Sequence, residues 1–367
     1  MMKLQIEKET LLNPLQQIIG AVEKRQTMPA LSNVLLRASD NLLTLTATDL
    51  EIELVSQIAM VIDEPGEITV PARKLLDICK SLPNDSIINF SVKDNKALVQ
   101  SGRSRFSLAT LPANDFPALD AINSVYEFEI TQKTLRDIID KTAFAMAQQD
   151  VRYYLNGLML EISANTLRAV ATDGHRLAYC EKATNAEIAD IKQVILPRKG
   201  VLELVRLLND SDDNVKITLG SNHLQVEFNE LRLTSKLIDG RFPDYNRVMP
   251  TDGDNVITAD RDQLRHALIR ASILSNEKYR GIRLMLEQNL IKLQAQNPDQ
   301  EEADVEQEVV YKGDDIEIGF NVNYMLDVLS VTNSEMVQAS LRDSNSSFLL
   351  TYPDQTDCKY VIMPMRL

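Results

Sequence analysis

The chain has 367 residues, is 44% hydrophobic and 25% charged, and carries a formal net charge of −14 at pH 7. That length suggests two or three domains, and that composition lets each bury an ordinary core. Overall acidity excludes a simple polyanion binder unless the positive charges are gathered on one surface.

The N-terminus, "MMKLQIEKETLL", has no apolar core of the kind a secretory signal needs. No run approaches the ~20 apolar residues that span a bilayer. Cys79, Cys180 and Cys358 are odd in number, far apart and without a CxxC pair. They predict neither a disulfide framework nor a zinc site, and the expected compartment is a reducing cytoplasm.

In chain order, apolar residues at i, i+3 and i+4 predict a helix over Leu11 to Lys24. Val34 to Leu36 follow as a strand. Leu43, Leu45 and Ala47 alternate with threonines, as in a sheet with one buried face. Pro71 opens a second short helix within "VPARKLLDICKSL", since proline suits the first helical turn. The series then starts again. A helix is expected over Leu135 to Ala147, a strand over Gly157 to Glu161, and a second helix after Pro197 in "LPRKGVLELVRLL". Leu224, Val226 and Phe228 alternate with Gln225 and Glu227. A third series has a helix over Leu264 to Leu274, a strand over Gly281 to Leu286, alternation through Ile291, Leu293 and Ala295, and "FNVNYMLDVLSV" from Phe320.

The spacing is regular. The strand-like "LTATD" ends at Asp49, "RAVATD" at Asp173 and "LQAQN" at Asn297, so consecutive copies end 124 residues apart. Phe116-Pro117 returns as Phe242-Pro243 after 126. The fold class is therefore α+β, with three repeated domains over 1–125, 126–250 and 251–367, each of two helices on antiparallel sheets.

Charge divides along the same lines. The helix-like segments 11–25, 71–82, 134–152, 197–207, 261–283 and 320–329 carry +1, +2, 0, +2, +4 and −1, together +8, which leaves −22 elsewhere. Six of those acids lie between Asp299 and Glu308. Solvated helix faces are one reading. The other is a basic surface for a polyanion on a body that repels it, with salt-dependent, sequence-independent affinity. No helix-turn-helix, zinc finger or aromatic RNA-binding pattern accompanies it, so following a backbone fits better than reading bases.

"ATDGHRLA" (171–178) gathers Asp173, His175 and Arg176, which raises the question of catalysis. Spacing of the Asp-x-His type puts both side chains on one face of a strand, without a nearby Ser or Cys nucleophile motif. The first copy, "TATDLEIEL", has neither His nor Arg, so duplicated catalysis is the poorer reading. No catalytic residue and no cofactor are expected. The three histidines lack ligand spacing, so no metal is expected either, although Asp299 to Asp304 would loosely attract a cation. No phosphate-cradling G-x-x-x-x-G-K-[ST] loop is present.

Several stretches closely resemble one family across the whole chain. They are "TLPANDFP" (110–117), "AQQDVRYYLNG" (147–157), "ATDGHRLA", "SKLIDGRFPDY" (235–245), "ILSNEKYRGIRL" (273–284), "NPDQEEA" (297–303) and "YVIMPMRL" (360–367). The family is the bacterial sliding clamps, the beta subunits of DNA polymerase III. The resemblance implies processivity-fold domains and two protomers joined head to tail in a ring around duplex DNA. It implies a non-catalytic processivity factor for the replicative polymerase. DNA-contacting positions carry over as Arg25, Arg73, Gln149, Tyr153 and Tyr154, although the tyrosine pair alone would read as packing. The protomer interface carries over as Phe106 and Leu108 against Ile273 and Leu274. A groove for short linear peptides carries over as Leu155, Thr172, Gly174, His175, Arg176, Leu177, Pro243, Arg247, Val248, Tyr324, Ser347, Val361, Met363, Pro364, Met365 and Arg366. The implied partners are duplex DNA, a second copy of the chain, the polymerase alpha subunit, a clamp loader, and other polymerases and repair proteins, without a membrane. Ile362 departs from the Val common in relatives.

Overall fold

The computed structural model describes residues 2–23, 28–117, 119, 122, 124–184, 186, 190–250 and 253–366. Ten elements in one order recur three times. The first run is β1 (Lys3–Glu7), α1 (Lys8–Ile18), β2 (Asn33–Ser39), β3 (Leu42–Thr48), β4 (Ile52–Ala59), β5 (Gly66–Pro71), α2 (Ala72–Ser81), β6 (Ile87–Lys93), β7 (Lys96–Ser101) and β8 (Ser104–Ala109). The second is β9 (Tyr126–Thr131), α3 (Gln132–Asp140), β10 (Gly157–Ile162), β11 (Thr166–Thr172), β12 (Arg176–Ala183), β13 (Lys192–Pro197), α4 (Arg198–Leu207), β14 (Asn214–Leu219), β15 (His223–Phe228) and β16 (Leu231–Lys236). The third is β17 (Asn255–Asp260), α5 (Arg261–Ser272), β18 (Gly281–Glu287), β19 (Leu290–Gln296), β20 (Glu302–Glu308), β21 (Ile316–Asn321), α6 (Val322–Ser330), β22 (Met336–Leu341), β23 (Phe348–Tyr352) and β24 (Gln355–Ile362).

The chain forms two compact units, Met1–Lys133 with Leu202–Leu237, and Thr134–Val201 with Ile238–Leu367. In the first, an eight-stranded sheet runs β5-β2-β3-β4-β16-β15-β14-β9 beside a four-stranded sheet β1-β6-β7-β8. Leu11, Leu15 and Ile18 of α1 are buried, and the helix packs on β3, β4 and α2. Asp40-Asn41 and Asp94-Asn95, all at positive φ, close the tight β2–β3 and β6–β7 hairpins, where Asn and Asp tolerate the left-handed region. In the second unit, a sheet β13-β10-β11-β12-β24-β23-β22-β17 is accompanied by β20-β19-β18-β21. There α5 packs on β19, β20 and α6. Each long sheet thus joins strands of two successive runs, through β4 with β16 and through β12 with β24.

Two helices are shorter than their apolar spacing predicts. Helix α1 tightens into a 3₁₀ turn at Ile19–Ala21, where a Cβ on Gly20 would stand 1.9 Å from the Glu203 carboxylate. Helix α3 ends at Asp140 rather than near Ala147. The Thr142 hydroxyl donates to the carbonyl of Ile138 (2.7 Å), and only a 3₁₀ turn at Ala143–Ala145 follows.

The cysteine expectation needs correction. Cys180 and Cys358, 178 residues apart, are disulfide-bonded. They are direct cross-strand partners in the β12–β24 ladder, a juxtaposition that sequence separation conceals. Cys79 is buried and free, and burial pushes its thiol up to about 12.

Candidate functional site

The octet 171–178 straddles the β11–β12 turn. Asp173 to His175 lie in that turn, not along a strand, which corrects the one-face reading of Asp-x-His. Asp173 Oδ1 accepts the backbone N–H groups of His175 (2.9 Å) and Arg176 (3.1 Å), and Oδ2 accepts Arg176 Nε (3.0 Å). Its carboxylate is thereby spent on the turn. Thr172 Oγ1 donates to the Arg176 carbonyl (2.6 Å) and accepts the Gly174 N–H (3.1 Å). Gly174 has φ +89°, and a Cβ there would meet the Arg152 guanidinium at 2.9 Å.

Against this turn the fold builds a cleft. Leu155, Leu177 and Val361 form a floor of buried residues, Leu177 and Val361 being cross-strand partners. Phe242, Pro243, Asp244, Tyr245 and Val248 line one side, and Thr172, Gly174, Arg176, Arg152 and Met363 complete a cavity of about 170 Å³. Tyr245 is tethered from below, its hydroxyl 3.4 Å from Glu161. Glu161 is itself held by Arg168 (2.5 Å) and Gln193 (2.7 Å). The Met363 N–H donates to the His175 carbonyl (2.9 Å), fixing the chain end beside the turn. The lining is apolar at its base and polar at its rim, the usual character of a preformed ligand cleft.

Of the sixteen groove positions expected, nine line this cavity: Leu155, Thr172, Gly174, Arg176, Leu177, Pro243, Val248, Val361 and Met363. The other seven lie outside its lining. His175 and Arg247 are exposed, and Arg247 Nε pairs with Asp244 at 3.1 Å. The Tyr324 ring lies under the Arg176 guanidinium, 4.6 Å away. Ser347, Pro364 and Met365 are half-buried, and Arg366 is exposed. Sequence reasoning missed Arg152, Phe242, Asp244 and Tyr245 as lining. The signal for Arg152 was its place within "QQDVRYYLNG". Asp150 braces it, and the hydrogen bond from Arg152 holds that carboxyl at about 2.

Arg73 is exposed on α2, and Gln149 is exposed at φ +56°. Tyr153 is 57% exposed and meets the Tyr154 ring edge-on at 5.8 Å. Tyr154 packs against the core beneath the cleft, so packing accounts for part of that pair. Arg25 lies outside the described residues. Phe106 is half-buried and Leu108 buried on β8, Ile273 is 72% exposed, and Leu274 is half-buried. Cys180, Cys358 and Asp357 bring potential ligand atoms within 4.8 Å of one another, but both sulfurs are spent on their mutual bond.

The described lining carries no Ser, Cys or His. Fold and site together define an α+β scaffold of one design repeated three times, with an apolar cleft in its second unit. Family models of the DNA polymerase III beta subunit match throughout: the N-terminal domain over residues 2–120, the central domain over 129–244 and the C-terminal domain over 246–366. The beta sliding clamp of Pseudomonas aeruginosa is 57% identical over 363 residues, covering 99% of each chain. That of Escherichia coli K12 is 49% identical over 367 residues, covering all of both. A crystal structure of the Pseudomonas aeruginosa DNA polymerase sliding clamp with ligand superposes with a TM-score of 0.97 at 56% identity, covering both chains in full. The chain belongs to the DNA polymerase III beta subunit family, the bacterial sliding clamps. It is a processivity subunit of the replicative polymerase and not an enzyme. Among the described residues, no helix is long and apolar enough to cross a membrane.

Proposed function

We propose that two copies close head to tail into a ring around duplex DNA, and that each ring tethers partners through the cleft. The observation that carries this reading is the pair of sheet edges left open. Strand β4 of the first run joins β16 of the second, and β12 of the second joins β24 of the third. The same rule leaves β20 of the third run and β8 of the first without a partner. Among the described residues, no strand or isolated bridge pairs the outer edge of either. Open edges invite pairing, and a heterologous contact between them closes only if the rotation closes. Their charges are complementary. Arg103 and Arg105 are exposed at β8, and Glu302, Asp304, Glu306 and Glu308 are exposed along β20. Phe106 and Leu108 would meet Ile273 and Leu274 beside this seam.

On this reading the three domains span 1–125, 126–250 and 251–367, in keeping with the three family-model matches. Arg25, Arg73, Gln149, Tyr153 and Tyr154 contact DNA without reading sequence. The groove comprises the sixteen positions named above together with Arg152, and takes short peptide tails of the polymerase alpha subunit, a clamp loader, and other polymerases and repair proteins in the cytoplasm. Tethering keeps the polymerase at high effective concentration at the primer end. A structure of the Pseudomonas aeruginosa clamp was solved bound to griselimycin. We propose the same cleft as the site for that ligand here. The test is retention on DNA with a loader and ATP supplied. A ring stays on circular DNA and runs off linear DNA with free ends; equal retention on both would overturn the reading.

A further inference from the structure

Resting on the groove reading above, we propose that Asp327, on α6 and outside the cleft lining, is a positioning residue for partner binding, acting through Arg176. Arg176 lines the cleft, yet its side chain is only 11% exposed and its guanidinium is turned toward protein partners. Nε donates to Asp173 Oδ2 (3.0 Å), one terminal nitrogen to Asp327, and the other to the Phe144 carbonyl (2.8 Å). The Tyr324 ring lies on its face at 4.6 Å and Phe144 at 5.3 Å. One planar fork therefore joins three segments: the 173–175 turn, the 143–145 turn and α6. Its charge sits between two carboxylates, Asp173 and Asp327. Two further cations act on this cluster: Arg152, which donates to the Asp173 carbonyl at 3.3 Å, and Arg198, whose guanidinium is shifted down by burial and by the nearby Arg176 charge. With Asp327 gone, Arg176 would keep one carboxylate against that repulsion.

The consequence falls on the cleft because Asp173 does two tasks. Its Oδ2 holds Arg176, while its Oδ1 orders the N–H groups of His175 and Arg176. The His175 carbonyl in turn holds Met363, which lines the cleft. Arg176 is thus a fastener of the wall more than a hand for the ligand. A lysine has the charge but not the fork, so it cannot serve both carboxylates and the Phe144 carbonyl.

The test uses the full-length chain with Asp327→Asn, Asp327→Glu, Arg176→Lys and the double variant Arg176→Lys/Asp327→Asn. Asp343→Asn, an exposed loop carboxylate, is the control. Amide hydrogen exchange at His175 and Arg176 is read without any ligand, and binding is read with fluorescently labelled griselimycin. In Asp327→Asn the two amides exchange faster by roughly tenfold and probe affinity falls by roughly tenfold, as expected for one charge-assisted bond. Asp327→Glu recovers most of both. The double variant is no worse than Arg176→Lys alone, since both changes break one contact. Unchanged exchange in Asp327→Asn, or strictly additive losses in the double variant, overturns the latch. Val248→Asp tests the groove itself: probe affinity untouched by that variant refutes the site, while the exchange data still decide the latch.

Discussion

Replacing both Ile273 and Leu274 by alanine probes the proposed ring at its apolar contact. Ile273 leaves 72% of its surface exposed in the single chain, and Leu274 is half-buried. Full burial of such a side chain is worth about 1.5–3 kcal/mol. The surface left to bury then gives about 2 kcal/mol at Ile273 and about 1 at Leu274, most of which alanine forfeits. A ring of two protomers has two identical seams, so the loss counts twice, about 5–6 kcal/mol. At about 1.4 kcal/mol per decade, the dimer dissociation constant should rise by roughly four orders of magnitude. Sedimentation velocity across a dilution series measures this directly. The double variant should sediment as a monomer at concentrations where the parent is a dimer. Its thermal midpoint as a monomer should fall only by the share of Leu274 already buried in one chain, because Ile273, 72% exposed, contributes little to that core. A dimer of unchanged affinity would show that these residues do not form the seam.

If the β8 and β20 edges meet as proposed, their charge complementarity would make the dimer salt-sensitive. Raising ionic strength from about 0.1 to 1 M shortens the screening length from ~10 to ~3 Å, so dimer affinity should fall. Arg103→Ser/Arg105→Ser should flatten that dependence; an equal salt slope in the variant would remove Arg103 and Arg105 from the seam. Thiol chemistry gives an independent check. With Cys180 and Cys358 bonded and Cys79 buried, the folded, unreduced chain should react slowly with thiol reagents. The unfolded, unreduced chain should titrate one thiol, and three after reduction. Three thiols without reductant would mean that the cross-strand pair is open.

Much of the architecture was legible because periodicity is local physics. Alternation at Leu43, Leu45 and Ala47 marks β3, and the spacing from Leu264 marks α5. The 124-residue recurrence reports three copies of one design. The cleft was legible only through resemblance, because its floor joins Leu177 to Val361, 184 positions on, by a ladder that no local pattern announces. The same ladder hid the Cys180–Cys358 bond. The sequence also concealed what each polar residue is spent on. Asp173, His175 and Arg176 look like chemistry when read along the chain, but in space the carboxylate is consumed by its own turn and by the guanidinium.

That distinction alters how the groove should be tested. Leu177 is 4% exposed and packs with Met159, Val170 and Ile195, so it is core and cleft floor at once. Leu177→Lys would bury a charge among these residues and lower stability before it reported on binding. Val248, 39% exposed on the rim, carries a charge at little cost to the fold, and so separates docking from folding. Rim positions therefore report docking and floor positions report stability. Arg176 belongs to neither group, because its effect on docking would pass through the turn that it fastens.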